Sequence, residues 1–316
     1  MSKFFVSSSV HLKSEVTTRK IMLDVIIALC PAVIASGIFF GLSAVMLIAV
    51  CVLSCVLAEY ICRKLMKREN TIDDLSAVVT GILLAFNLPP TINPLIAVVG
   101  SVVAIVVVKQ MFGGLGQNFV NPALTARIVL MVSFPTAMTT WVKPFFYNNT
   151  ADAVSSATPL VAASNSGVMP SYLEMFLGTR AGCLGETCAI ALIIGGVYLV
   201  FKKVISPIIP LTFIATVFIL SYLFGSDPVY AILSGGVMLG AIFMATDYVT
   251  SPLTTSGKVI FALGCGLITV LIREFGSLPE GVSFSIVIMN ILVPHIEKIT
   301  TPRSFGKEKK NAKNEG

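Results

Sequence analysis

A chain of 316 residues that is 55% hydrophobic and only 12% charged, with a mean hydropathy of +0.90, is excluded from the ordinary soluble domains. Its net charge of +6 raises nucleic acid as a partner, but the basic residues gather at the ends of apolar runs, a pattern of membrane orientation that speaks for no nucleic acid. The runs are long enough to cross about 30 Å of hydrocarbon and lack the alternation of an outer-membrane barrel, so the expected fold is an all-α integral membrane protein.

Ten transmembrane helices are predicted, at 21–41, 42–62, 75–89, 94–111, 120–136, 183–201, 207–224, 229–246, 259–274 and 283–297. With a cytoplasmic N-terminus, 18 of the 22 Lys and Arg fall on inside segments; Lys143, Arg180 and Arg273 fall outside, and Arg127 lies within a span. The expected organisation is a cytoplasmic tail at 1–20, a five-helix half at 21–136, an extracytoplasmic segment at 137–182, a second five-helix half at 183–297 and a basic cytoplasmic tail at 298–316. The first apolar run is too long for a signal-peptide core and reads as a retained helix. The seven cysteines read as small apolar residues without metal-site spacing to histidine, so no metal centre is expected. Cys183 and Cys188 bracket a helix start near the outer face, where a disulfide stays an open alternative.

In chain order, Arg19-Lys20 opens the first span, and Asp24 follows Lys20 on the same helical face. Asp24 reads either as half of a helix-end ion pair or as an ion-pathway carboxylate. Pro31 is expected to kink this helix. Arg63, Lys64, Lys67 and Arg68 form a basic stop facing lipid headgroups.

Two segments then share an order of features. Ala85-Phe86-Asn87, Pro89-Pro90, an apolar span, Phe112-Gly113-Gly114-Leu115 and a span ending near Pro135 form the first; Ala245-Thr246-Asp247, Pro252, an apolar span, Phe275-Gly276-Ser277-Leu278 and a span ending near Pro294 form the second. An odd number of helices separates corresponding points, which is the mark of an inverted-topology repeat with broken helices. Broken helices expose backbone polar groups that membrane depth tolerates only against protein or a watery cavity, so the repeat interface is the expected place for a ligand or ion path. The competing reading is that these Gly and Pro residues only punctuate loops.

Between the fourth and fifth spans, Gly113, Gly114 and Gly116 precede Gln117-Asn118-Phe119-Val120-Asn121-Pro122. Such a turn reads either as a plain helix start or as a set of donors for an anion or a flavin ring. Arg127 stands about two turns into an apolar span, where an unpaired charge is costly, and is a functional candidate for that reason. In the outer segment, Trp141, Phe145, Phe146 and Tyr147 read as an interfacial aromatic belt, with flavin stacking as the sharper alternative. The small residues around Thr158 leave its hydroxyl open to a modifying enzyme, and Pro159 biases it towards an extended backbone. His11 and His295 lie near the cytoplasmic ends and suit no catalytic set.

The order Asp152, Ser155, Ala157, Thr158, Pro159, the Phe112-to-Ala123 turn, Ala245-Thr246-Asp247-Tyr248-Val249-Thr250-Ser251-Pro252, and Arg273-Glu274-Phe275-Gly276 through Pro279-Glu280-Gly281-Val282 resemble the NqrB/RnfD family over nearly the whole chain, from Met22 through Phe305. These are membrane flavoprotein subunits of ion-pumping NADH:quinone and ferredoxin:NAD oxidoreductases. The short N-terminus makes the chain more similar to the RnfD branch. The resemblance implies FMN held as a phosphoester on Thr158 of the motif Asp152-Ala153-Val154-Ser155-Ser156-Ala157-Thr158. Ser156 stands where the family has glycine, and its small size leaves modification expected. The resemblance also implies a flavin transferase and a second, non-covalent flavin such as riboflavin within the membrane. For that second flavin or an ion path the candidates are Gly113, Gly114, Asn118, Asn121, Arg127, Asp24 and Asp247.

The expected function is a membrane subunit of a redox-driven Na+ or H+ translocase, working with iron–sulfur, NAD-binding and other flavin subunits and not active alone. The chain has neither a cysteine cluster nor a dinucleotide-binding fingerprint, so those centres fall to partners, and no catalytic acid/base set is required because the flavin does the redox work. An NqrB-type subunit of a Na+-pumping quinone reductase and a stand-alone inverted-repeat channel or transporter are the alternatives.

Overall fold

A computed structural model describes residues 16–146, 171–276 and 280–302, and every regular element among them is helical. In chain order these are α1 (Thr18–Phe40), α2 (Leu42–Leu65), a single 3-10 turn (Ile72–Asp74), α3 (Ser76–Phe86) and α4 (Pro94–Val102), which continues as a π-helical stretch (Val103–Gln110). Then come α5 (Pro122–Ser133), the short α6 (Pro135–Met138) and α7 (Tyr172–Leu177), α8 (Ala189–Phe201), α9 (Ile208–Leu223) and α10 (Pro228–Leu233). The last are α11 (Val237–Leu239) with a π-helical extension (Gly240–Met244), α12 (Thr255–Phe275) and α13 (Val282–Thr300).

Helices start where the sequence supplies caps. Three open on an Asx-Pro pair: Asn93-Pro94, Asn121-Pro122 and Asp227-Pro228. The Asn93 side chain accepts from Leu95 N at 2.9 Å, Asn121 from Ala123 N and Leu124 N at 3.1 and 3.2 Å, and Asp227 from Val229 N and Tyr230 N at 2.9 and 3.3 Å. Proline at the first helical position lacks the N–H that would be orphaned there.

Each predicted span coincides with a helix or a helix pair, α5–α6 and α10–α11 being the pairs. Four of them, α1, α2, α12 and α13, are long and apolar enough to cross a membrane by length and composition, which makes this a multi-pass membrane protein. Others are short: the 11 residues of α3 rise only about 16 Å. Irregular chain carries on from them, buried, through Asn87–Ile92 after α3 and through 180–186 before α8. These two stretches partner each other, Gly185 N donating to Phe86 O at 2.9 Å and Leu184 N to Leu88 O at 3.2 Å, as backbone at membrane depth requires. The approach is too close for a side chain, since a Cβ on Gly185 would lie 2.4 Å from the Phe86 Cβ.

One apolar core joins both predicted halves, including Leu29, Phe86, Leu124, Phe213, Phe243, Phe261 and Ile286. Where α8 crosses α1, a Cβ on Gly195 would fall 2.1 Å from the Ala28 carbonyl oxygen, a backbone atom that cannot swing aside. Gly195→Ala is therefore expected to destabilise the bundle by about 1–3 kcal/mol, read as a lower thermal midpoint in detergent; an unchanged midpoint would contradict this packing.

Several expectations change. Pro31 lies within one continuous helix. All seven cysteines are free, so Cys183 and Cys188 form no disulfide. Trp141 does not sit in an interfacial belt: it is 6% exposed and packs on Ala181 and Cys183. Phe145 instead stacks edge-on against Phe39, centroids 5.7 Å apart. Arg273 belongs to the last turn of α12 rather than to an outer loop. Its guanidinium donates to the carbonyls of Ala231, Ser234 and Gly235 at 2.6, 2.9 and 3.3 Å, capping the break between α10 and α11, where Gly235 and Gly236 take positive φ of 61° and 71°.

Candidate functional site

Three polar constructions interrupt the apolar interior. The first centres on Arg127, in α5, which is 2% exposed. One Nη donates to Asn87 Oδ1 at 2.8 Å and Ser283 Oγ at 3.2 Å; the other faces Glu280, Glu186 Oε1 at 3.4 Å and Cys183 Sγ at 3.6 Å. One guanidinium thus ties together the end of α3, the chain before α8 and the start of α13. Cys183, Glu186 and Glu280 offer ligand atoms within 4.8 Å of one another, a geometry that suits a cation. The same Arg127 nitrogen touches all three, so the protein's own guanidinium supplies that positive charge. Arg180 donates to Glu186 O at 2.8 Å, and burial pushes its pKa down to about 10, still high enough to keep it charged.

The second construction surrounds Glu59, fully buried on α2. Lys109 Nζ lies 2.9 and 3.2 Å from its two carboxylate oxygens and donates to Ser76 Oγ at 2.6 Å; Gln110 Nε2 and Thr71 Oγ1 each donate to Glu59 at 2.8 Å. Both oxygens of the carboxylate are engaged, the condition under which a buried ion pair is tolerated.

The third is a cavity of about 100 Å³ between the halves. Asn118, Asn121, Asp247 and Lys109 give it a polar end, and Leu83, Val204 and Phe243 are among its apolar walls. Asn121 both caps α5 and donates to Met244 O at 3.3 Å, while Asn87 donates to Met244 Sδ at 3.7 Å, so the π-helical turn Gly240–Met244 stands between the cavity and the Arg127 cluster. Asp247 is half-buried; burial raises its carboxyl above the ordinary value, partly offset by the Thr250 hydroxyl and the Val249 N–H. The neutral form is favoured in the fold, so stability is fully present at low pH and lost as pH rises through the raised value. Asp247→Asn, neutral throughout, is expected to melt above the parent at about pH 8 and to converge with it near about pH 4. Thermal midpoints across that range test this, and a constant offset would contradict it.

Of the residues singled out by sequence, the structure brings Asn118, Asn121 and Asp247 together and sets Arg127 apart in its own cluster. Gly113 and Gly114 take φ of 129° and 107° that favour glycine, but Gly114 presses on the Arg63 guanidinium and neither lines the cavity. Asp24 accepts from Tyr198 OH on α8 at 2.8 Å, which replaces the expected pairing with Lys20. Thr158, Asp152, Ser155, Ser156 and Ala157 lie outside the described residues. Glu59, Lys109, Glu186 and Glu280 were not among the site candidates read from sequence. The signal for Glu59 was present, a lone acid inside an apolar run; Glu186 and Glu280 sit at span edges, where carboxylates are ordinary.

An all-helical, multi-pass membrane protein with buried ion pairs at its helix breaks is the class that fold and site define. The chain belongs to the NQR2, RnfD, RnfE family, whose sequence model matches residues 5–306. It is 51% identical over 314 residues, 98% of each chain, to the D subunit of the Na(+)-translocating ferredoxin:NAD(+) oxidoreductase complex of Acetobacterium woodii. It is 44% identical, over 96% of each chain, to the D subunit of the proton-translocating ferredoxin:NAD(+) oxidoreductase complex of Clostridium ljungdahlii. To the D subunit of the ion-translocating oxidoreductase complex of Escherichia coli O7:K1 it is 36% identical, over 97% of this chain and 99% of the relative.

Proposed function

We propose that this chain is the D-type membrane flavoprotein subunit of an ion-translocating ferredoxin:NAD+ oxidoreductase complex, carrying FMN as a phosphoester on Thr158. The observation that carries the reading is end-to-end similarity, 51% over 98% of both chains, to a subunit of that name. Its partners are the iron–sulfur, NAD-binding and second flavin subunits, with a flavin transferase for maturation. The transported ion is Na+ or H+, the two ions named for its relatives. The positive-inside distribution supports cytoplasmic termini and an extracytoplasmic flavin segment.

The cavity at Asn118, Asn121 and Asp247 suits a second, non-covalent flavin such as riboflavin in the chemistry of its donors. Amide groups and a carboxylate at one end match the hydrogen-bonding edge of the ring, and apolar walls match its benzenoid end. At about 100 Å³ it is tighter than the 300–1,000 Å³ of ordinary small-molecule sites, so entry requires a wall to move. Tyr248, 50% exposed at its edge and hydrogen-bonded to Val204 O, is the side chain placed to do so. A bound flavin supplies electron transfer, and the protein supplies position and electrostatics. Inverted halves with broken helices give such a ligand and an ion path a shared interface.

The test is made on native material. A denaturing gel of the purified subunit viewed under ultraviolet light is expected to show a fluorescent band, and the peptide containing Thr158 to carry the mass of an FMN adduct. A dark band and an unmodified peptide, from cells that contain the transferase, overturn the reading and favour a stand-alone channel or transporter.

A further inference from the structure

A second cavity, of about 280 Å³, opens sideways between α8 and α9. Every residue lining it is apolar: Val197, Phe201, Pro210 and Leu211 stand at its walls, and Met238 and Ile242 are among the others. Its rim faces outward, with Val197 49%, Leu211 65% and Phe201 83% exposed. Lys202 and Lys203 come between two of its lining residues, Phe201 and Ile205, and both are exposed. Lys202 is held over the Tyr198 ring, 5.7 Å from the centroid, and Lys203 has no acidic partner within ion-pair distance among the described residues.

An apolar slot that ends at a basic pair has the chemistry of a phospholipid with net negative charge. We propose that this groove holds an acyl chain of an anionic phospholipid whose headgroup lies on Lys202 and Lys203. A neighbouring subunit's helix would fill the apolar length but leave the two ammonium groups without counter-charge, and a zwitterionic lipid brings no net charge to them. The groove also backs onto the interior cavity: Ile205 lines both, and Ile242 of the groove adjoins Phe243 of the cavity wall. A bound chain therefore braces the π-helical turn Gly240–Met244 from behind.

The experiment uses the purified complex, delipidated in mild detergent and given phosphatidylglycerol or phosphatidylcholine, with bound lipid counted by native mass spectrometry. Phosphatidylglycerol is expected to be retained in preference. Lys202→Gln and Lys203→Gln should lower its retention about fivefold per lysine while leaving phosphatidylcholine unchanged. Val197→Trp, which fills the groove from its exposed rim, should lower retention of both lipids. A photo-crosslinking residue at position 211 is expected to gain the mass of a lipid in native membranes. Equal retention of the two lipids, or crosslinking of position 211 to another subunit, overturns the proposal.

Discussion

Thr158→Ala is expected to reduce ferredoxin-driven ion uptake by sealed vesicles to background while leaving the amount of assembled complex unchanged. A phosphoester holds the flavin at high effective concentration beside its electron partners whatever its intrinsic affinity, and removing the hydroxyl leaves nothing to esterify. The variant band should also be dark under ultraviolet light. Ser156→Gly, which restores the residue usual in the family, should keep both fluorescence and transport. Full transport by a dark Thr158→Ala complex would show that this side chain anchors no working flavin and would leave the chain with a purely structural part in the assembly.

The other large effect concerns the buried cluster. Arg127→Met is expected to destabilise the bundle by about 3–5 kcal/mol, because it leaves Glu186 and Glu280 buried without their counter-ion; they are only 6% and 4% exposed. Glu280→Gln keeps the Arg127–Glu186 contact and should cost less. The double variant Arg127→Met with Glu280→Gln should recover part of the loss, since one uncompensated charge then remains in place of two. Thermal midpoints of the purified subunit, with the fraction surviving extraction as a folded monodisperse species, measure all three. An Arg127→Met protein that melts with the parent would mean that the two carboxylates find protons or water and that the guanidinium does not hold the helix breaks together.

Much of the architecture was legible because a bilayer enforces a simple rule. Spans must be apolar for their whole length, and charges must gather at their ends, so all ten predicted spans coincide with helical segments. The helix starts at Asn93, Asn121 and Asp227 were legible for a local reason: an Asx side chain followed by proline satisfies its own first turn. Arg127 was legible because a lone cation in an apolar run demands a partner. What that partner would be was not, since Asn87, Glu186 and Glu280 lie 40, 59 and 153 positions away along the chain. Trp141 was misread for the opposite reason, because aromatic residues beside a span serve equally at a lipid interface or under a loop.

By itself, then, the amino-acid order determined the membrane class, the spans, their orientation bias and the kinship that points to a flavin on Thr158. These follow from hydropathy, charge and motif, which are properties of neighbouring residues. Only the tertiary structure decided that Asn118, Asn121 and Asp247 face one cavity while Gly113, Gly114 and Asp24 do not, and that Arg127 fills the cation position between two glutamates. It also decided that a basic pair closes an apolar groove. Those outcomes depend on which half-helix packs against which break, and backbone groups stranded at membrane depth find their partners across the fold, beyond the reach of any local pattern.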